Sequence, residues 1–304
     1  MATAGLLYAG YRYLRSKATD WTYYDGKVVW VTGASSGIGK ELCLQLVKRS
    51  EVKLVLSSRS EATLNGVKAE LVEAGAKDGN IAVVPLDLGE LETLVEAVEK
   101  VFDCFGHIDL LINNAGISQR SLARMTSFDV YRRLIKIDFE GQVLLTQTYI
   151  KKLVESGRSA HITFISSVAG RIPVPFRSGY CAAKAALNSY AATIRIELEL
   201  EGHPIAVTVV SPGGVKTAVS KNALNKDGKP FGEADAVTAE GMNVAECCSQ
   251  MICAISNKVD DFIVCSSLER FACTLFTHLP LKLATRVILP KYKRYLSETL
   301  ARVK

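Results

Sequence analysis

The eight cysteines form neither a CxxC pair nor a regular framework; they lie scattered at Cys43, Cys104, Cys181, Cys247, Cys248, Cys253, Cys265 and Cys273. In a chain of 304 residues scattered thiols read as reduced core residues, which excludes a disulfide scaffold and leaves no metal site to expect. No Asn-x-Ser/Thr acceptor occurs, so glycosylation gives no support for secretion. Repeats and low-complexity stretches are missing, and with 48% hydrophobic and 22% charged residues the composition is neither disordered nor collagen-like. Charge of one sign is also missing over most of the length. Between Lys282 and Lys304 seven basic residues face one acid, Glu298; the other 30 basic and 30 acidic residues cancel. The body therefore has no nucleic-acid footprint, and the net charge of +6 belongs to the tail.

Long apolar runs are scarce as well. The segment Ala4–Gly10 falls far short of the roughly 20 residues that cross a bilayer. With Arg12, Arg15 and Lys17 behind it, residues 1–26 read as an appendage, either a packing helix or a surface anchor. Beyond Leu268, apolar residues such as Phe271, Phe276 and Leu283 are broken by Pro280, Lys282 and Arg286. An interfacial amphipathic segment with a basic tail suits this pattern better than a membrane span. Packing across a substrate mouth, or a contact between two copies in a homodimer, are the other placements open to it.

What is present from Lys27 onward is alternation. Short β-branched runs at Val28–Val31, Lys53–Leu56, Ile81–Val84, Leu110–Ile112, His161–Ile165, Ile205–Val210 and Phe262–Val264 read as strands buried on both faces. Glu61–Ala74, Glu90–Phe105 and Val130–Leu153 between them have helical spacing. The order implies βαβ units with right-handed crossovers and one open parallel sheet.

The first strand runs into Thr32-Gly33-Ala34-Ser35-Ser36-Gly37-Ile38-Gly39 and then a helix. Glycines there permit a tight turn against a pyrophosphate, which sits on the exposed N–H groups of the helix start. Gly33, Ser35, Ser36, Gly37, Ile38 and Gly39 are the candidate phosphate contacts. The second strand ends in Leu56-Ser57-Ser58-Arg59 without an acid. A carboxylate there would bind a ribose 2′-hydroxyl, whereas the Arg59 fork suits a 2′-phosphate; NADP(H) is favoured over NAD. Tyr180-Cys181-Ala182-Ala183-Lys184 sets a phenol and an ammonium at i, i+4 on one helix face. A free phenol is a poor base near neutrality, and a nearby ammonium favours its ionised form. Such a pair moves a proton while hydride moves to or from a nicotinamide.

These residues resemble the short-chain dehydrogenase/reductase family, whose TGxxxGxG matches Thr32–Gly39 and whose NNAG matches Asn113-Asn114-Ala115-Gly116. The resemblance runs over residues 27–268. It implies an α/β Rossmann-type doubly wound parallel sheet in a single domain, with appendages at 1–26 and 269–304. It also implies roles. Tyr180 is the general acid/base, Lys184 tunes it and bonds the nicotinamide ribose, and Ser167, thirteen residues before Tyr180, orients the substrate oxygen, with Ser166 as the alternative hydroxyl. Asp87 and Leu88 lie by the adenine, Asn113, Ala115 and Gly116 pass beneath the cofactor, and Pro212, Gly213, Val215 and Thr217 close over the nicotinamide. Asp138 stands where the family carries an Asn that holds a relay water. An ionised Asp accepts hydrogen bonds but cannot donate one, so Asp138 is either a relay residue or a kink residue. It also leaves open a catalytically weak dinucleotide-binding scaffold.

Residues 218–240 read as a loop-like substrate lid, or else a disordered insertion. Apolar Val168, Ile172, Val174 and Phe176 are expected to line a pocket for a lipophilic alcohol or carbonyl. The runs Ile117–Leu122, Asp129–Leu134 and Val84–Leu88 are similar to a microsomal group of the family that acts on retinoids, steroids and other carbonyls. That similarity implies a hydrophobic substrate and endoplasmic reticulum membrane association; a cytoplasmic location is the alternative.

Overall fold

The computed structural model describes residues 18–233, 236–278, 280, 282–283 and 285–286. The apolar stretch Ala4–Gly10, the basic residues Arg12, Arg15 and Lys17, and the tail from Val287 to Lys304 lie outside the described residues. Seven strands form one parallel sheet: β1 (Val28–Thr32), β2 (Lys53–Ser57), β3 (Ile81–Val83), β4 (Leu110–Asn113), β5 (Ala160–Ile165), β6 (Ile205–Pro212) and β7 (Asp261–Val264). Their spatial order is β3-β2-β1-β4-β5-β6-β7. Val29 pairs with Leu54 on one side and with Leu110 on the other.

The β-branched strand sequences need cover on both faces, and two sets of helices supply it. On one face lie α1 (Gly37–Arg49), α2 (Glu61–Glu73) and, further along the chain, the helix Val244–Ser256. Leu42, Leu46, Leu64, Met251 and Ile255 pack there against Val29, Val31, Leu54 and Leu56. On the other face are α3 (Leu94–Phe105), α4 (Phe128–Ile135) running through a π turn (Lys136–Glu140) into α5 (Gly141–Ser156), and α6 (Ser178–Leu200). Val98, Leu145, Tyr149 and Leu187 meet Val28, Trp30, Leu111 and Phe164 there. Consecutive residues of β1 thus serve opposite layers, as the pleat dictates. With α7 taken as Val244–Ser256, the last described helix is α8 (Ser267–His278).

Both expected appendages are partly built into this body. Trp21–Tyr23 form a helical turn under the sheet, where Tyr24 is fully buried and donates to the Ile252 carbonyl at 2.8 Å. Tyr23 Oη lies 2.8 Å from His161 Nδ1, and His161 Nε2 lies 2.8 Å from Thr208 Oγ1. At the other end α8 runs across residue 268. Its Cys273, Ala272 and Phe276 pack against Val168, Ile172 and Val174. No helix among the described residues is long and apolar enough to cross a membrane.

Candidate active site

The chain winds outward from β1 in one direction and, after β3, returns to add β4 on β1's other side. That reversal opens a crevice at the carboxyl ends of β1 and β4, and a cavity of about 510 Å3 occupies it.

Its floor is a joint between two loops. Thr32 Oγ1 accepts from the Asn114 and Ala115 N–H groups at 3.0 and 3.1 Å. Asn114 Nδ2 donates to the Thr32 and Gly33 carbonyls at 2.9 and 3.2 Å. Gly33 turns at φ +67°, and a Cβ on it would lie 2.8 Å from Asn114 Nδ2. A Cβ on Gly39 would lie 2.3 Å from the Gly33 carbonyl oxygen. Ser35, Ser36, Gly37 and Ile38 border the cavity. Ser36 precedes α1 without a side-chain cap, and the helix's first turn holds no acid. The free amides of that turn suit an anion, and an added acid would repel one. Beyond the ends of β2 and β3, Ser58, Arg59, Asp87 and Leu88 border the cavity. Arg59 is exposed and has no ion-pair partner among the described residues. The next helix is capped by Ser60 Oγ, which accepts from the Thr63 N–H at 3.2 Å. Ser58 Oγ is buried without a partner. The bare glycine positions in the floor, the uncapped helix start and the unpaired guanidinium together fit a dinucleotide phosphate.

At the other end, Tyr180 and Lys184 share a face of α6. The ammonium Nζ stands 5.8 Å from the phenol ring centroid and donates to the Ile165 carbonyl at 3.3 Å. Lys184 is nearly buried, at 3% exposure. Tyr180 borders the cavity, its ring packed with Ile117, Val130, Leu134 and Leu224. Its hydroxyl has no hydrogen-bond partner among the described residues. Ser167 Oγ accepts from the Ala169 N–H at 3.1 Å and points toward the Pro212 carbonyl at 3.5 Å. Ser166 also borders the cavity, and its buried hydroxyl has no partner.

Asp138 sits behind this group. The π turn carries it fully buried toward Gly116, where a Cβ would lie 2.7 Å from Asp138 Oδ1 and 3.3 Å from Lys184 Nζ. Oδ1 accepts from the Ile117 N–H at 2.8 Å, while Oδ2 is without a partner. Burial pushes the carboxyl up to about 6, against the opposing pull of the Lys184 ammonium and the Ile117 amide.

The structure gathers Gly33, Ser35, Ser36, Gly37, Ile38, Arg59, Asp87, Leu88, Ala115, Gly116, Ser167, Tyr180, Lys184, Pro212, Gly213, Val215 and Thr217 around one cavity. Three expected residues do not border it. Asp138 and Gly39 stand behind its wall, and Asn113 turns into the core, its Nδ2 donating to Thr146 Oγ1 at 2.9 Å. The neighbouring Asn114, in the same NNAG run, is the side chain that faces the glycine loop.

The described part of 218–240 is loop-like, turns and bends with one short helix (Ala236–Ala239), and it is pinned to the body. Leu224 exchanges backbone hydrogen bonds with the Ser118–Arg120 segment at 2.7 and 2.8 Å, and Ser127 donates to the Lys226 carbonyl at 2.9 Å. Ala223 and Leu224 are buried. The apolar lining is also displaced. Val168, Ile172, Val174 and Phe176 lie outside the cavity, the first three against α8. Ile117, Leu224 and Val219 border it instead. Sequence spacing identified the loop but not the helix that covers it.

The family model for short chain dehydrogenases matches residues 27–228. The chain is 37% identical over 270 residues, 88% of its length and 80% of the relative, to Dehydrogenase/reductase SDR family member 7B of Mus musculus. It is 36% identical over 269 residues, 88% of its length and 78% of the relative, to Dehydrogenase/reductase SDR family member 7 of Homo sapiens. Among solved structures, a short-chain dehydrogenase/reductase from Burkholderia phymatum in complex with NAD superposes with a TM-score of 0.73 at 22% identity, over 83% of this chain and 93% of that one. An alcohol dehydrogenase from Thermococcus sibiricus complexed with 5-hydroxy-NADP gives 0.65 at 22% identity, over 79% and 97%. Two nucleotide forms thus occur among proteins of this fold. With the family model covering most of the chain and the sheet order, glycine joint and Tyr–Lys pair in place, the chain belongs to the short-chain dehydrogenase family of oxidoreductases.

Proposed function

We propose that this chain is an NADP(H)-dependent oxidoreductase that interconverts a lipophilic primary or secondary alcohol and its aldehyde or ketone. The observation that carries the reading is the convergence of Tyr180, Lys184 and Ser167 on one cavity whose far end is bounded by the glycine loop and Arg59.

Ser35–Ile38 would hold the pyrophosphate, and Arg59 with Ser58 the adenosine 2′-phosphate. Lys184 would hold the nicotinamide ribose, and Pro212, Val215 and Thr217 the nicotinamide end. When bound, the dinucleotide supplies or accepts the hydride. The Tyr180 hydroxyl, without a hydrogen-bond partner among the described residues, passes a proton to or from the substrate oxygen. Ser167 holds that oxygen and stabilises its developing charge, with Ser166 offering a second free hydroxyl at the same wall. Ile117, Val219 and Leu224 supply apolar surface that excludes water and suits a hydrophobic substrate. Asp138 steadies Lys184 from behind and takes up or releases a proton near it.

Association with a membrane surface, that of the endoplasmic reticulum by similarity to the microsomal group, is supported by the exposed apolar Phe271 and Leu283 and the exposed cations Lys282 and Arg286 in the same C-terminal segment. Exposed apolar side chains and cations together suit anionic headgroups.

The cofactor reading is tested on Arg59. Turnover with NADPH and with NADH is compared, across a screen of lipophilic carbonyls, for wild type and Arg59→Asp. The wild type should prefer NADPH, and the acid should reverse that preference by about tenfold or more, since a carboxylate repels the 2′-phosphate and bonds the 2′-hydroxyl. An unchanged preference would remove Arg59 from the nucleotide site.

A further inference from the structure

Helix α8 reaches back into the site through its first turn. Ser266 stands just before it, and Ser266 Oγ accepts from the Glu269 N–H at 3.3 Å. Glu269 Oε2 in return accepts from the Ser266 N–H at 3.1 Å and from its hydroxyl at 3.0 Å. This is a reciprocal S-x-x-E cap, which satisfies otherwise orphaned amides at a helix start. The cap leaves the second carboxylate oxygen free. Oε1 accepts instead from the Gly214 N–H at 3.1 Å, in the loop after β6.

Backbone bonds hold the middle of that loop from its other sides. Gly213 N–H donates to the Val264 carbonyl at 2.8 Å, and the Gly214 carbonyl accepts from Met242 N–H at 2.8 Å. The Gly214 amide is tied by a side chain. Contact is so close that a Cβ on Gly213 would lie 2.5 Å from Glu269 Oε2 and 2.8 Å from Cys265 Cβ. On its opposite side the same loop presents Pro212, Gly213 and Val215 to the cavity, and the Pro212 carbonyl faces the Ser167 hydroxyl. The next turns of α8 press on Val168 and Ile172, just after Ser167. One helix therefore braces both loops that carry the reactive end of the site.

We propose that Glu269 is a positioning residue: it fixes the Pro212–Val215 loop at the nucleotide end of the cavity and so makes the C-terminal helix part of that site. This rests on reading the crevice as a dinucleotide site. Glu269 touches neither substrate nor cofactor; its effect is transmitted through the Gly214 amide. Loss of the carboxylate leaves that amide unpaired and the loop free to shift.

The test uses the full chain. NADPH affinity is measured by fluorescence titration, with NADH in parallel, alongside kcat, the KM for the dinucleotide and Tm. Glu269→Ala should raise the NADPH dissociation constant and KM about tenfold, with kcat changed less. Glu269→Gln should stay within about twofold in affinity, because its one amide oxygen can still accept from the Gly214 N–H; its NH2 cannot replace Oε2 as acceptor for the Ser266 N–H, so Tm should fall. Ser266→Ala removes the hydroxyl bonds of the cap but neither the backbone N–H bond to Oε2 nor the Gly214 bond; it should lower Tm while leaving NADPH affinity at the wild-type value. If Glu269→Ala is too unstable to purify, Gly213→Ala, which drives a methyl group against the carboxylate, should give the same rise. Wild-type affinity in Glu269→Ala, or equal losses in Glu269→Ala and Ser266→Ala, would overturn the proposal. A wild-type protein that binds neither nucleotide would overturn the nucleotide reading with it, which separates the two failures.

Discussion

At Asp138 three influences compete within one buried side chain. Burial raises its carboxyl to about 6, while the Lys184 ammonium and the Ile117 amide pull the other way. The charged group facing it from α6 is Lys184, and the loop after β4 presents the Ile117 amide. Within its own turn Glu140 is exposed, outside the wall that holds Asp138. As pH falls through about 6 the carboxylate takes up a proton, and the charge beside Lys184 disappears. The kcat/KM profile of wild type should therefore carry an inflection near pH 6, and Asp138→Asn, uncharged throughout, should lack it. Superimposable profiles would take Asp138 out of the proton relay. A family pattern read from sequence located this position, because Asp138 occupies a motif slot. The unpartnered Oδ2 and the depth of burial had no sequence signal, since both follow from helices packing around it.

Elements show where sequence patterns are informative and where they are silent. The seven strand runs were legible because a parallel strand buried on both faces has no polar side, and β1 is buried at every position. The helical spacing of Val130–Leu153 was legible too, but not the π turn inside it. Apolar period alone does not record one extra residue per turn. The lid looked like a loop because residues 221–230 are rich in Lys, Asn, Gly and Pro. Local composition does not record the few long-range backbone bonds that pin this loop to Ser118 and Arg120. The change of pattern at residue 268 read as the end of the domain, yet α8 crosses it. An apolar helix face announces that something covers it, not what; here the cover is the loop after Ser167.

For the whole molecule, the first described segment and α8 brace one sheet from opposite ends of its strands. α8 closes the carboxyl end, while Tyr23 and Tyr24 lie under the sheet around His161. His161 is buried neutral, its pKa lowered from 6.5 to about 3 chiefly by burial and secondarily by the Lys258 and Lys27 charges. The unfolded chain binds a proton there that the folded chain refuses. The stability this group contributes is complete above about 6.5 and is lost as pH falls toward about 3. By about pH 5 the loss should reach roughly 2 kcal/mol. Denaturant unfolding of wild type and His161→Gln at about pH 7 and about pH 5 should show it, the wild type losing more on acidification by that amount. Parallel losses would mean that the imidazole is solvated and the N-terminal brace is loose.

With the Tyr180 hydroxyl proposed as the proton carrier at the cavity, turnover is the measurement that probes it most directly. NADPH oxidation with a lipophilic ketone or aldehyde, followed by nicotinamide absorbance, compares wild type with Tyr180→Phe, a change that deletes one oxygen from a well-packed ring. Turnover should fall at least about a hundredfold in a protein that remains folded and still binds NADPH. Wild-type turnover in Tyr180→Phe would contradict the account.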